Sequence, residues 1–280
     1  DPLDRSKLLF SAAQLVRADT KDLARLLTRE QGKPLRESMN EVAGFARVLE
    51  YYASISGTLQ GDYGLSKTYG HMMVMRQPLG VCAAIIPWNM PVLIMGWKIG
   101  PVLATGNTMI VKPSTTAPLT CKALAGYLYR VGVPESVLQL VTGSGEVVGD
   151  ALARHPDVKS LSFTGAVPTG IQVAEHAAKT LKKTILELGG SDAMIVCKDA
   201  DLEAAAKGAV SGRFFNCGQT CTAIKRVFVD TSIYAPFVKR VRELAGALQV
   251  GNGLVAGVDM GPVHTKRQRD ILHSQVQETV

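Results

Sequence analysis

From Val81 onward, short β-branched runs alternate with helical stretches of ten or more residues, and this alternation limits the chain to few folds. Residues 81–86, 108–111, 137–141, 161–163 and 184–186 read as strands. Strands that alternate with helices form a parallel sheet. Right-handed crossovers place the helices on both faces, which agrees with the low charge of residues 51–150. The predicted class is α/β, a doubly wound parallel sheet. Ligands of such sheets bind beyond the carboxyl ends of the strands, so the loops after these strands carry the functional argument.

Ahead of the sheet, Leu8, Leu9, Ala12, Leu15 and Val16, then Leu23, Leu26 and Leu27, recur at helical spacing. Asp19 and Thr20 read as N-caps, and Gly32 followed by Pro34 as a stop signal. A third helix is predicted over about 35–54. Gly57, Gly61, Gly64 and Gly70 then punctuate short runs that read as strands and turns.

Composition excludes several classes. With 46% apolar and 20% charged residues in 280, the chain can bury a core and is not disordered. The longest uncharged stretch, 77–97, is broken by Pro78, Pro87, Asn89 and Pro91, so no membrane-spanning helix is expected. No basic segment followed by an apolar core opens the sequence, and five cysteines point to a reducing, cytoplasmic setting. The net charge of +7 is diffuse and aromatics are only 6%, which argues against nucleic acid. Cys217 and Cys221 have no histidine nearby, so no metal site is expected. Asp1 stands first, without a Met and inside a helical pattern, and the chain reads as a fragment.

Three loops offer anion-binding chemistry. Gly143-x-Gly145 followed by Gly149 misses the common dinucleotide spacing by one residue, and also reads as a tight turn before a helix. In Phe163-Thr164-Gly165-Ala166-Val167-Pro168-Thr169-Gly170 a strand ends, Gly165 turns the chain, and Pro168 is placed to begin a helix with free N–H groups. Lys112-Pro113-Ser114-Thr115 adds a positive charge and two hydroxyls. Together they point to a nucleotide.

A second group surrounds Cys221, in the polar turn Phe215-Asn216-Cys217-Gly218-Gln219-Thr220-Cys221. A thiol near pKa 8.5 needs a base or a positive field to act as a nucleophile at neutral pH. Glu187 ends the last strand of the sheet, and burial would raise its pKa toward that of a general base. Asn89, in Pro87-Trp88-Asn89-Met90-Pro91, reads either as a donor to a developing oxyanion or as a cap of the helix from Pro91. Cys82, Cys121 and Cys197 read as buried core thiols.

Taken together, Pro87-Trp88-Asn89, Lys112-Pro113-Ser114, Phe163-Thr164-Gly165, Glu187-Leu188-Gly189-Gly190 and Phe215-Asn216-x-Gly218-Gln219-x-Cys221 resemble the aldehyde dehydrogenase superfamily. Glu30-x-Gly32-Lys33-Pro34-Leu35, Tyr51-Tyr52 and Trp97-Lys98 extend the resemblance over nearly the whole chain. It implies oxidation of an aldehyde to a carboxylate with NAD or NADP, through a thiohemiacetal and a thioester on Cys221. A semialdehyde such as succinate semialdehyde is among the implied substrates. Glu187 is the implied base for hydrolysis and Asn89 the oxyanion donor, with Lys98 in the same catalytic set. Pro87, Trp88, Lys112, Ser114, Thr115, Gly145, Phe163, Thr164, Gly165, Ala166, Thr169, Leu188 and Gly189 are the implied cofactor contacts.

The resemblance also implies a cofactor domain over 1–188, with an oligomerisation hairpin at about 58–77, and part of a catalytic domain over 189–280. A homodimer or homotetramer is implied for the full-length protein. Thr115 stands where NAD-preferring members often carry a Glu, which favours NADP. Ala166 replaces a usual Ser. The amino-terminal strands, the Glu and Phe that hold the nicotinamide ribose and the carboxyl-terminal strand are missing, so the chain as given is expected to be inactive. The alternatives are a CoA-acylating member and an inactive scaffold.

Overall fold

The computed structural model describes residues 1–279, which cluster into two compact units. One comprises 1–23 and 40–187, the other 24–39 and 188–280. The linear division at 188/189 leaves residues 24–39 in the first domain, whereas the structure groups them with the second unit. The boundaries fall inside two continuous helices, α2 (Thr20–Gln31) and α3 (Leu35–Ile55), and helical periodicity carries no mark of such a division.

In the first unit the predicted runs form five parallel strands: β3 (Val81–Ile85), β4 (Thr108–Lys112), β5 (Leu138–Leu140), β6 (Val158–Thr164) and β7 (Lys183–Glu187). They are ordered β5-β4-β3-β6-β7. Counted from β3, this is the 3-2-1-4-5 order of the dinucleotide-binding fold without a sixth strand. The strand order reverses between β3 and β6, where Ile85 lies opposite Phe163. α4 (Pro91–Ala104) and α5 (Leu119–Arg130) pack with each other and with α1 (Pro2–Ala18). α6 (Asp150–Arg154) and α7 (Val167–Ala178) pack as a separate pair. β3 and β4 are buried along most of their length, with Ala83, Ala84, Met109 and Val111 almost fully enclosed.

The side chains of Asp19 and Thr20 both make bonds outside α2. Asp19 ends α1, and its carboxylate accepts from the Tyr127 hydroxyl at 2.7 Å. The Thr20 hydroxyl donates back to the carbonyls of Val16 and Arg17, both at 3.0 Å. The glycine-punctuated segment forms an antiparallel hairpin, β1 (Asp62–Ser66) and β2 (Gly70–Val74), with Tyr63, Leu65, Met72 and Met73 exposed.

The second unit contains a parallel pair, β8 (Asp192–Val196) and β9 (Ile224–Val229), joined through α8 (Leu202–Phe214). Val196, Ala206, Ala209 and Phe237 form its core, the last from α9 (Tyr234–Gly246). The turn at Gly32 is enclosed by residues 251–262. Leu35 N–H donates to the Gly253 carbonyl at 2.8 Å, and a Cβ at Gly261 would lie 2.0 Å from the Gly32 carbonyl oxygen. α10 (Lys266–Thr279) closes the described chain. None of the helices among the described residues is long and apolar enough to cross a membrane.

Candidate active site

In the first unit, the reversal of strand order brings three predicted loops to one edge of the sheet. Pro87, Trp88 and Asn89 follow β3, Lys112 ends β4, and Phe163 and Thr164 end β6. The registers Ile85 with Lys112 and Ile85 with Phe163 fix their adjacency. Pro87, Trp88 and Asn89 are half-buried.

Asn89 is not the side-chain cap of α4. Met90 occupies the cap position without a side-chain bond, and the buried Glu41 carboxylate accepts from the N–H groups of Val92 at 2.9 Å and Leu93 at 3.2 Å. A carboxylate there also complements the positive end of the helix. Sequence reasoning missed Glu41, yet a signal existed. It shares the stripe of Val42, Phe45 and Leu49 on α3, and an acid on an apolar helix face needs a buried partner.

The Phe163–Thr169 loop has features of an anion cradle. A Cβ at Gly165 would lie 2.5 Å from Cζ of Phe163, so the ring fills the place of any larger residue. The Thr164 hydroxyl is buried without a hydrogen-bond partner, which costs about 1–3 kcal/mol unless a ligand supplies one. Ala166 caps α7 without a side-chain oxygen, and Pro168 lacks an N–H. The N–H groups of Val167 and Thr169 are thus available to water or an anion, and Thr169 itself is exposed.

The other cofactor candidates fare unequally. Lys112 is only 3% exposed, its ammonium donates to the neighbouring Pro113 carbonyl at 3.1 Å, and burial lowers its pKa. The Ser114 hydroxyl is engaged with the Thr116 side chain at 3.1 Å, while Thr115 is exposed. Gly145 meets nothing within 4 Å of an added Cβ, so no local packing demands glycine there. Gly143 is the demanding one, with φ of +150° and a virtual Cβ 2.4 Å from Val148. Residues 145–149 form one wide helical turn capped by the Ser144 hydroxyl.

On α4, Lys98 is buried and donates to the Ser162 hydroxyl of β6 at 2.6 Å. Desolvation lowers its pKa to about 8, against a smaller opposing effect of the Glu187 charge. Glu187 ends β7, and its carbonyl accepts from Gly165 N–H at 3.0 Å. Its side chain is exposed, so the burial assumed in the general-base argument is absent.

In the second unit, Cys221 is exposed three residues before β9. Leu188 is half-buried and Gly189 exposed. A Cβ at Gly190 would stand 3.4 Å from the Cys221 carbonyl oxygen, which brings the segment after Glu187 against the cysteine turn. That same carbonyl accepts from Lys225 Nζ at 2.9 Å. The preceding residues Asn216, Cys217 and Gly218 all have positive φ, at 51°, 57° and 71°. Glu37 accepts from Asn216 N–H at 2.9 Å, and Gln219 donates to the Asn216 carbonyl at 2.9 Å. Glu37 was not foreseen, because its partner is 179 positions away.

Cys217 is half-buried and its thiol pKa is raised, first by desolvation and then by Glu37, against the lowering effect of Arg213. Cys82 and Cys121 are buried, whereas Cys197 is exposed, since it follows the last residue of β8 and no longer faces the core. Among the described residues no cluster of His, Cys, Asp or Glu is arranged to hold a metal ion.

The strand order defines a doubly wound α/β fold of the dinucleotide-binding type, joined in sequence to a unit that carries the Cys221 turn. The sequence model described as "Aldehyde dehydrogenase family" matches residues 1–280, and the chain belongs to that family. It is 40% identical over 278 residues to a mitochondrial aldehyde dehydrogenase of Leishmania tarentolae, covering 99% of this chain and 56% of that protein. It is 41% identical over 265 residues to the succinate-semialdehyde dehydrogenase [NADP(+)] GabD of Escherichia coli (strain K12), covering 93% and 54%. A crystal structure of an E. coli NADP-dependent enzyme superposes with a TM-score of 0.97 at 38% identity, covering 99% of this chain and 58% of that one. The chain thus spans about half the length of the curated relatives it matches.

Proposed function

We propose that the full-length protein oxidises an aldehyde to the carboxylate with NADP or NAD, with Cys221 as nucleophile. The reversal of strand order between β3 and β6 carries this reading, because it sets the Asn89 loop beside the Thr164–Gly165 turn in a member of the aldehyde dehydrogenase family. The unpartnered Thr164 hydroxyl, the side-chain-free cap at Ala166 and the N–H groups of Val167 and Thr169 fit the phosphates of a dinucleotide. Pro87, Trp88, Leu188 and Gly189 complete the proposed contacts. When bound, the nicotinamide supplies the hydride acceptor.

The rest of the chemistry belongs to the chain. Cys221 Sγ adds to the carbonyl carbon, and the Asn89 amide and the Cys221 backbone N–H stabilise the resulting oxyanion. After hydride leaves, the acyl group remains on Cys221 as a thioester. Glu187, exposed and reachable by water, takes a proton from the water that attacks the thioester, releasing the carboxylate and the thiolate. Lys98 positions by charge, through its bond to Ser162.

Thr115 in place of an acid supports NADP, and the name of the E. coli relative agrees with that choice. The exposed apolar side chains of the β1–β2 hairpin support a homo-oligomer of the full-length protein, which dimer or tetramer masses in light scattering would test.

The deciding experiment uses Glu187→Gln and Cys221→Ala in the full-length protein. Glu187→Gln should keep a burst of one NAD(P)H per site while steady turnover falls about 10²- to 10⁴-fold. Cys221→Ala should give neither. A burst that survives in Cys221→Ala would overturn the assignment.

A further inference from the structure

Asn89, the proposed oxyanion donor, stands on a loop fastened at both ends. At one end Ile86 N–H donates to the Lys112 carbonyl at 2.9 Å, which ties the exit of β3 to β4. At the other end the start of α4 depends on a distant residue. The first N–H groups of a helix have no partner inside it. Within α4, Pro91 lacks an N–H, and Ile94 N–H returns to the Met90 carbonyl at 3.1 Å. The two N–H groups between them, of Val92 and Leu93, both go to Oε1 of Glu41, 51 and 52 positions earlier in the chain.

A short polar residue at the cap position ordinarily does this work. Met90 stands there and has no oxygen to offer, and Asn89 is one residue too early. The capping of α4 is thus delegated to another helix. Only Met90, at φ −134° and ψ 59°, and Pro91, whose ring fixes φ, separate Asn89 from the clamped turn.

Glu41 itself has little room to move, being 3% exposed. Its helix packs without slack against α4. A Cβ at Gly44 would stand 3.0 Å from Leu93, one at Gly96 3.0 Å from the Phe45 ring, and one at Gly100 2.5 Å from the Tyr52 ring. These pairs ascend together along α3 and α4, so the helices run side by side in one direction and hold the carboxylate against the start of α4. We propose that Glu41 is a positioning residue for the reaction: by clamping the first turn of α4 it holds the Asn89 amide in place for the developing oxyanion. Misplacing such a donor by about 1 Å can cost about 10²-fold in rate.

The inference rests on the aldehyde-oxidation reading, and two measurements on the full-length protein separate them. The first is amide hydrogen exchange. Glu41→Ala should raise exchange at least about 10-fold over residues 87–95 and leave β4 and α5 unchanged, because the lost bonds are local. No change over 87–95, or a rise spread over the whole unit, would overturn the clamp. The second is a double-mutant cycle on the rate of the NAD(P)H burst. Glu41→Ala should slow the burst about 10- to 100-fold in the wild type but less than about 3-fold in an Asn89→Ala background, where the donor to be positioned is gone. Equal factors in both backgrounds would make Glu41 a helix cap only and overturn the proposal. Glu41→Gln, which keeps an acceptor oxygen of the same reach, should restore most of the burst rate. If Glu41→Ala does not fold, Glu41→Asp, one methylene shorter, replaces it in both measurements with the same expected directions. Local loosening in a protein whose wild type reduces no NAD(P) with any aldehyde would sustain the clamp and sink the dehydrogenase reading. An intact wild-type burst with equal factors in the cycle would do the reverse.

Discussion

The backbone N–H of Asn216 donates to the carboxylate of Glu37 at 2.9 Å, so the left-handed turn ahead of Cys221 is fastened by the residue pair rather than by glycine alone. Asn216 and Cys217 both adopt φ near +50°, which costs a residue with a side chain about 1–2 kcal/mol. Glu37 is 5% exposed, so the bond lies largely out of water. Glu37→Ala should lower stability in urea by about 1–3 kcal/mol. Glu37→Gln should lower the pKa of Cys217, because a negative charge that raises it is removed. Iodoacetamide labelling of Cys217 in a Cys221→Ala background should then reach its midpoint at lower pH; an unchanged midpoint would remove Glu37 from that account.

Lys98 makes stability depend on pH with a definite sign. Its folded pKa of about 8 lies below the ordinary lysine value, so between about pH 8 and 10 the unfolded chain binds more protons than the folded one. Stability contributed by this group therefore rises with pH across that window, by up to about 3 kcal/mol. Below pH 8 the buried charge is a standing cost. Lys98→Met should be at least as stable as wild type at pH 7, and its advantage should shrink toward pH 10. A stability difference between the two that does not change from pH 7 to 10 would contradict the sign.

Gly165 leaves room for the Phe163 ring and for nothing else. Gly165→Ala forces a contact of 2.5 Å to relax by moving either the ring or the turn. Overpacking of this kind typically costs about 1–3 kcal/mol. The variant should melt earlier and bind dinucleotide more weakly by calorimetry, whereas Gly145→Ala, with open space around it, should leave stability unchanged.

Thr115→Glu should turn the preference toward NAD. At 4 Å from a phosphate, a carboxylate costs about 4 kcal/mol per charge at a dielectric near 20, but about 1 kcal/mol in water. Thr115 is exposed, so the lower figure governs and the kcat/KM ratio of NADP to NAD should fall about 5- to 10-fold. An unchanged ratio would detach Thr115 from cofactor choice.

The sheet was legible because its signal is local. Each β-branched run became a strand, and differences arose at the ends. β6 begins at Val158 rather than Leu161, because Val158 and Ser160 pair with Val81 and Cys82 of β3, with Lys159 bulged between them, and Ser160 also pairs with Lys183 of β7. The loops after β3, β4 and β6 were legible for the same reason. What the sequence hid were relationships between distant residues. Nothing near Pro91 marks Glu41 as the cap of its helix, and nothing near Asn216 marks Glu37. The exposure of Cys197 and Glu187 was hidden as well, because each stands at the very end of a strand, where alternation no longer decides which way a side chain faces.

The reversal of strand order also governs how the chain reaches its folded state. β3 and β4 meet across one helix, and so do β6 and β7, but β3 and β6 pair Val81 with Val158 across the whole intervening length. Closing a loop of about 75 residues is entropically costly, and contacts of such separation form slowly. By sequence separation, the two halves of the sheet should assemble before the ladder that joins them. The Asn89 and Thr164 loops become neighbours only with that ladder, so a ligand that bridges the two loops should be held only by chains in which it has formed.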